Sequence, residues 1–360
     1  MSRGIHACGL LLAVLATTPV NSQEARGAAG PSDARAVWIA FTLVDRVVVP
    51  RYAALAKAMD DQHAAWIAAC SPKGDGPSSQ ELFVAHREAT QRWAAIEFVR
   101  YGPISEDLRH ERMAHWPDRR NAVGRALDRL ITGSSPPSVE SVRSTSVAGQ
   151  GLSVLERILY DDAGRRRQMS RRASERDRRC AAGTAVTGHL AILSRSTTDA
   201  WTGQGGQRAA LAYPAEARAA LVRLATDLLT MLELIEGRKL ALPLGGNGAE
   251  SARPSAAEAW RSNQSLRIVR MNLEAVVAFT TAAYADIGGP PEALRQMLTD
   301  AMTASAAMDG VAVRHAVAGP PLRTQLILLG DLVLSLRQYL QDQLPEHLGV
   351  TVGFNSQDGD

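Results

Sequence analysis

Apolar residues recur at steps of three and four along nearly the whole chain, and no stretch of useful length alternates with the two-residue rhythm of a half-buried strand. From Val37 the stripe runs through Phe41, Val44, Val48, Tyr52, Leu55, Met59, Trp66 and Cys70, skipping a turn near His63, and this predicts one long amphipathic helix. Pro50 lies inside it. Without an amide hydrogen, and crowding the preceding turn, it predicts a kink or break near Val49. Ser78 with Glu81 reads as a capping box for a second helix, whose face carries Leu82, His86, Ala89, Trp93 and Ile96 and which Gly102-Pro103 ends. Further helical patterns cover 122–132, 138–161, 168–198, 214–236, 255–286, 290–308 and 320–343, with Pro214 in a first turn and Ser255 with Glu258 as another capping box. The class is therefore all-α, most simply two helical bundles of up-and-down type over 33–200 and 214–360, joined through TGQGGQRAALAYP at 202–214. LPLGGNGAESARP at 242–254 is a long glycine-rich loop, and so a candidate for function as well as connection.

A chain of 360 residues with 46% hydrophobic content can bury a real core. Its 40 basic and 37 acidic residues nearly cancel, so charge does not call for a nucleic-acid partner. The arginine-rich GRRRQMSRRASERDRRC at 164–180 interleaves Glu175 and Asp177 and has no aromatic residue for stacking, which fits a solvated helix face.

The first residues have the layout of a secretory leader over 1–22: Arg3, an apolar stretch from Gly9 to Ala16, and a small-residue cleavage site after Val20-Asn21-Ser22. Cys8 precedes that stretch, whereas a lipid-anchoring cysteine would follow it. No later apolar run reaches the roughly 20 residues of a membrane span. The expected location is the periplasm, or another compartment reached by export. Cys70 and Cys180 are then the cysteines of the mature chain, in surroundings where two thiols pair, and a disulfide between them is predicted; two buried free thiols are the alternative.

Three segments concentrate polar residues in unusual settings. In GLSVLERILYD (151–161) Glu156 stands among Leu152, Val154, Leu155, Ile158 and Leu159, where a carboxylate must be hydrogen-bonded, paired or neutral. Its structural reading is an ion pair with Arg112, Arg120 or Arg261; its functional reading is ligand binding. RMAHWPDRRN (112–121) carries Arg112, His115, Trp116, Asp118, Arg120 and Asn121, which either cap and pack around Pro117 or form a wall of a site, with Arg112 holding an anion or ordering Glu156. In EAWRSNQSL (258–266) Trp260 reads as core, while Arg261, Ser262 and Asn263 open a helix after the glycine-rich loop, a setting for an anion or for simple capping. His63, His86, His110, His189, His315 and His347 show no i, i+3 or i+4 pairing with one another. HExxH, CxxC and nucleophile-elbow motifs are absent. Asp358 and Asp360 near the C-terminus fall short of a calcium loop and read as part of a tail packed by Phe354.

YGPI with RMAHWPDRRN (101–121), QGLSVLE (150–156), RKLALPLGG with EAWRSNQSL (238–266) and LGVTVGFNSQDGD (348–360) together resemble the imelysin family, also called imelysin-like or peptidase M75 proteins. The resemblance implies an exported bacterial all-α protein whose two bundle-like halves are related by internal duplication, with a site near their junction. It also implies an association with iron uptake or regulation, and a peptidase as the founding activity. The family signature is G-x-H-x-x-E; Gly151 and Glu156 match it, and Ser153 stands where the histidine would be. A serine hydroxyl is a poor neutral ligand for iron or zinc and no base near neutral pH, while His115 is the one nearby residue that could replace the ligand. The implied ligand-binding set is Arg112, Trp116, Asp118, Gly151, Ser153, Glu156, Arg261 and Ser262, with no catalytic residue, no metal ligand set, and iron as a cofactor by resemblance alone. The expected function is a non-catalytic periplasmic binding or accessory protein associated with iron uptake, taking a small ligand or an envelope protein partner, with no nucleic acid and no membrane span. An M75-type metallopeptidase and a structural envelope protein are the alternatives.

Overall fold

The structure, a computed structural model, describes residues 32–160, 173–246 and 248–352. The leader at 1–22, the first part of the arginine-rich segment, and Phe354, Asp358 and Asp360 lie outside the described residues. Within those residues every regular element is helical.

The stripe that begins at Val37 becomes α1 (Asp33–Leu43) and α2 (Val49–Ala69), and Ser32 caps α1 by accepting the Arg35 N–H. The helix does not break at Pro50. It widens instead into a π-helical segment, Val44–Val48, where the Val49 N–H donates to the Val44 carbonyl five residues back. Proline has no N–H to give and its ring collides with the carbonyl four residues earlier, so one wider turn lets the helix axis continue. Cys70 closes α2 and is disulfide-bonded to Cys180 across a separation of 110 residues, the pairing that cysteine arithmetic predicts. In the chain-entropy description a loop of that length is worth roughly 4–5 kcal/mol of stability.

The second helix, α3, spans Gln80–Ala94, and α4 spans Ala122–Thr132, the range its periodicity predicts. The capping box at Ser78 is not formed: α3 begins one residue later, after Ser79, whose hydroxyl bonds the Glu81 carboxylate. The pattern over 138–161 is broken into Val139–Arg143, a single 3-10 turn, and α5 (Leu152–Tyr160). Ser144 and Thr145 explain the break, because their hydroxyls donate to the carbonyls of Glu140 and Val142 and compete with helix continuation. After α5 come α6 (Ala173–Thr202), α7 (Pro214–Glu233), α8 (Ser265–Ala283), α9 (Glu292–Ala307) and α10 (Pro320–Leu348).

These helices form two packing groups. Helix α2 lies along α6 and α3, with α4 and α5 also against α6. Helix α8 packs on α9, α9 on α10 and α10 on α7, and α1 lies on α7 and α8 while α3 reaches α8. The buried side chains of both groups form one continuous cluster, from Ala36 and Ile39 to Leu344 and Leu348. Among the described residues no helix is long and apolar enough to cross a membrane.

A second π-helical segment, Leu234–Ala241, extends α7 and again precedes a proline, Pro243. Here the helix stops within three residues, at Leu244, and the described residues between it and Ser265 form a loop with only short 3-10 turns. The helix expected from 255 is therefore absent before 265. Ala259 and Asn263 adopt positive φ and Glu258 turns inward, so Ser255 and Glu258 form no capping box.

Candidate functional site

This irregular run is one of three segments that meet around a cavity of about 450 Å³. The loop contributes Ser255 to Arg261, the extended segment after Arg109–Met113 contributes Ala114 to Arg119, and α5 contributes Leu152, Ser153, Glu156 and Arg157, with His86, Thr90 and Trp93 of α3 forming a further wall. Trp116, Asp118, Ser153, Glu156 and Arg261, dispersed over almost 150 residues of sequence, thus line one space.

Each wall is tied to its neighbours. Asp118 accepts the Val123 N–H (3.0 Å) at the start of α4 and pairs with Arg157 (2.9 Å), whose guanidinium also reaches the Asn121 side chain. The Trp116 indole N–H donates to the Ala256 carbonyl (3.3 Å), joining the extended segment to the loop. The Ser153 hydroxyl donates to the His115 carbonyl (3.1 Å), so the residue in the motif's histidine position acts as a clamp on the main chain. Gly151 permits the same close approach: a β-carbon there would sit 2.6 Å from the Met113 carbonyl oxygen and 2.7 Å from that of Arg112. The Arg112 side chain does not line the cavity; its backbone contributes through this crossing.

Glu156 is only 7% exposed, and the expected arginine pair is not its main support. The Ser262 N–H (3.0 Å) and Ser262 hydroxyl (2.8 Å) both donate to its Oε1, from a loop 106 residues away. Burial pushes the carboxyl above its ordinary value, and the two Ser262 donors and the Arg261 charge pull it back. Arg261 itself stacks over Trp260, 4.4 Å from the ring centroid.

Behind the cavity lies a buried ionic network that the residue pattern did not reveal. Lys239, in the second π segment, pairs through Nζ with Glu97 Oε1 and with Glu258 Oε2 (2.8 Å), and donates to Asn272 Oδ1 (2.8 Å) on α8. Asn272 returns its amide to Glu97 Oε1 (2.8 Å) and the Ala94 carbonyl (2.7 Å). Burial opposes the Lys239 charge, yet Glu258 and Glu97 outweigh it and its pKa lies above the ordinary value. Burial and the neighbouring Glu97 raise Glu258 to about 7. The available sequence signals were a rare lysine, one of three in the chain, and a glutamate inside the apolar run AAIEFV. On the α3 wall, burial drives the His86 imidazole down to about 3, so it is neutral; its Nδ1 faces the Gln62 amide nitrogen at 3.3 Å.

The donor set does not fit a transition metal. Ser153 spends its hydroxyl on a carbonyl, Glu156 Oε1 already receives two hydrogen bonds, and no cluster of three His, Cys, Asp or Glu able to hold a metal occurs among the described residues. What the arrangement can do is enclose a small molecule between aromatic walls and two buried carboxylates.

The imelysin family model, peptidase M75, matches residues 48–314. An imelysin-like protein from Psychrobacter arcticum has a similar solved structure, with a TM-score of 0.75 at 22% identity, covering 91% of this chain and 99% of that one. A Parabacteroides distasonis protein that bears the name of an iron-regulated protein A precursor is similar at a TM-score of 0.69 and 13% identity, covering 90% and 97%. No curated protein matches the chain.

Proposed function

The chain belongs to the imelysin family, and on that premise we propose that it is an exported, non-catalytic binding protein holding a small ligand between the Ala114–Arg119 segment, α5 and the Ser255–Arg261 loop. The observation that carries this reading is the Glu156 lock: a buried carboxylate oriented by both donors of Ser262, on the wall of a cavity large enough for a small organic molecule. Pre-organised walls of this kind favour binding because little ordering remains to be done when the ligand arrives. The disulfide supports residence in an oxidising compartment. The name of the Parabacteroides neighbour supports an iron-related setting for the protein; in this reading iron is part of the physiological context and the cavity's occupant is organic. A metallopeptidase needs a metal-bound water and a base, and the Ser153 and Glu156 donors are committed to holding the walls together.

The test is a titration of purified mature protein, with Glu156→Ala and Ser153→His alongside, against iron and zinc, together with casein turnover in the presence and absence of a chelator. The expected result is no stoichiometric wild-type metal binding and no turnover. Stoichiometric binding lost in Glu156→Ala, or chelator-sensitive turnover by wild type, would replace this reading with the metallopeptidase.

A further inference from the structure

The network behind the cavity holds more negative than positive charge. Lys239 has three N–H donors and its ammonium is engaged by Glu97, Glu258 and Asn272, so it has no further capacity. Glu97 receives a second donor from Asn272. Glu258 has the contact with Lys239, and of the two carboxylates it is the one that lines the cavity. Two carboxylates against one ammonium leave about one uncompensated charge in a region where the three side chains are 2%, 7% and 11% exposed. An unbalanced buried charge costs several kcal/mol and calls for a counter-charge.

We propose that the cavity takes a ligand carrying an organic cation, a protonated amine, which docks against the Glu258 carboxylate while its apolar body lies between Trp93, Trp116 and Leu152. This rests on the reading of the cavity as a ligand site and names the chemistry of that ligand. A metal cation is a poor candidate because Glu258 is a single carboxylate with no cluster of three ligating side chains among the described residues. An anion is a poor candidate because the cavity's half-buried cations are engaged, Arg157 with Asp118 and Asn121 and Arg261 over Trp260 and against Glu156, and the third arginine of the lining, Arg119, is exposed to solvent. The His86 ring is neutral. The indole faces add little for a cation, since Lys239 already lies 6.0 Å from the Trp116 centroid and Arg261 covers Trp260; the carboxylate supplies the discrimination.

A proton competes for the same place. The charged groups acting on Glu258 are Glu97 from the turn after α3, Lys239 from the π segment and Glu156 from α5, and with burial they hold it near 7. Above that value the carboxylate is free for an amine, and well below it a proton occupies the position.

The experiment is isothermal titration calorimetry with benzylamine, benzyl alcohol and benzoate at pH 8 and pH 5.5. It uses wild type, Glu258→Gln, and the cavity-filling Ala256→Phe, with circular dichroism on each. Benzylamine is expected to bind wild type about tenfold tighter than benzyl alcohol at pH 8, as one charge-assisted hydrogen bond would produce. The ratio falls to about one at pH 5.5 and in Glu258→Gln, and Ala256→Phe abolishes binding of both. The wild-type pH comparison stands even if a variant folds poorly. A wild-type ratio near one at pH 8, a ratio that persists at pH 5.5, or a preference for benzoate overturns the amine while leaving the cavity as a site. Failure of all three probes to bind overturns the amine and the cavity reading together.

Discussion

Two helices meet a proline in the same way and end differently. In both, a π segment runs up to the residue before an X-Pro pair, Val44–Val48 before Val49-Pro50 and Leu234–Ala241 before Leu242-Pro243. Four residues before each proline stands a cation, where ring and carbonyl would collide. Arg46 is exposed, whereas Lys239 is 4% exposed and carries the ionic network. After Pro50 the chain offers good helix formers and α2, 21 residues in all, continues to Ala69. After Pro243 it offers Leu-Gly-Gly; Gly245 takes φ +70°, Arg323 from α10 donates to the Leu244 carbonyl (2.7 Å), and the loop that carries Glu258 and Ser262 begins. The same backbone device thus makes a spacer in one place and the edge of a site in the other. The residues C-terminal to the proline and the groups packed around the cation decide which.

The widest expected separation between the two regions is in the cations themselves. Lys239→Ala leaves Glu97 and Glu258 buried without their partner and is expected to cost about 3–5 kcal/mol, while Arg46→Ala stays within about 0.5 kcal/mol. Urea denaturation of both variants checks this, and equal losses would end the comparison.

The next effect is pH-dependent. Glu258 is raised from 4.5 to about 7, so its stabilising contribution is full below the unfolded value and is lost as pH rises through the folded one. Between those limits wild type should lose on the order of 3 kcal/mol that Glu258→Gln does not lose, seen as a flatter stability curve for the variant.

A smaller loss is expected at the loop. Ser262→Ala removes one of the two donors to Glu156 and should cost about 1 kcal/mol in thermal unfolding, and moving the Glu156 carboxyl further upward should accompany it. A loss as large as that of Lys239→Ala would place the weight of the site on the lock rather than on the network.

The prolines themselves should matter least. Pro50→Ala lets the ordinary i to i−4 ladder close and should raise amide protection over 44–50 with a stability change within about 1 kcal/mol. Pro243→Ala should leave the helix ending at Leu244, because Gly245 and the Arg323 contact remain; hydrogen exchange that extends the helix past 245 would assign the ending to the proline instead.

Much of this was legible from residues alone. The stripe from Val37 to Cys70, the 122–132 helix and the Cys70 to Cys180 pairing depend on local periodicity and on cysteine arithmetic. That Glu156 needed a partner was legible because an acid among leucines always does; that Ser262 supplies both donors was not, since nothing local relates residues 106 apart. Ser153 could be read as a lost histidine, but its role as a clamp on the His115 carbonyl appears only when the two segments cross. Glu258 misled for a definite reason: serine with glutamate three residues later is a sound helix-start signal, and here a stronger demand, the buried Lys239, takes the glutamate away from that use.

By itself the sequence determined that this chain is helical, where most of its helices lie and which two cysteines join, because hydrophobic period and covalent pairing act over a few residues or by elimination. The tertiary structure alone decided which carboxylates are buried together and what holds each one, because the cost of an unpaired buried charge is settled by whatever group the fold brings within reach, and Lys239 and Glu97 are brought together across 142 residues.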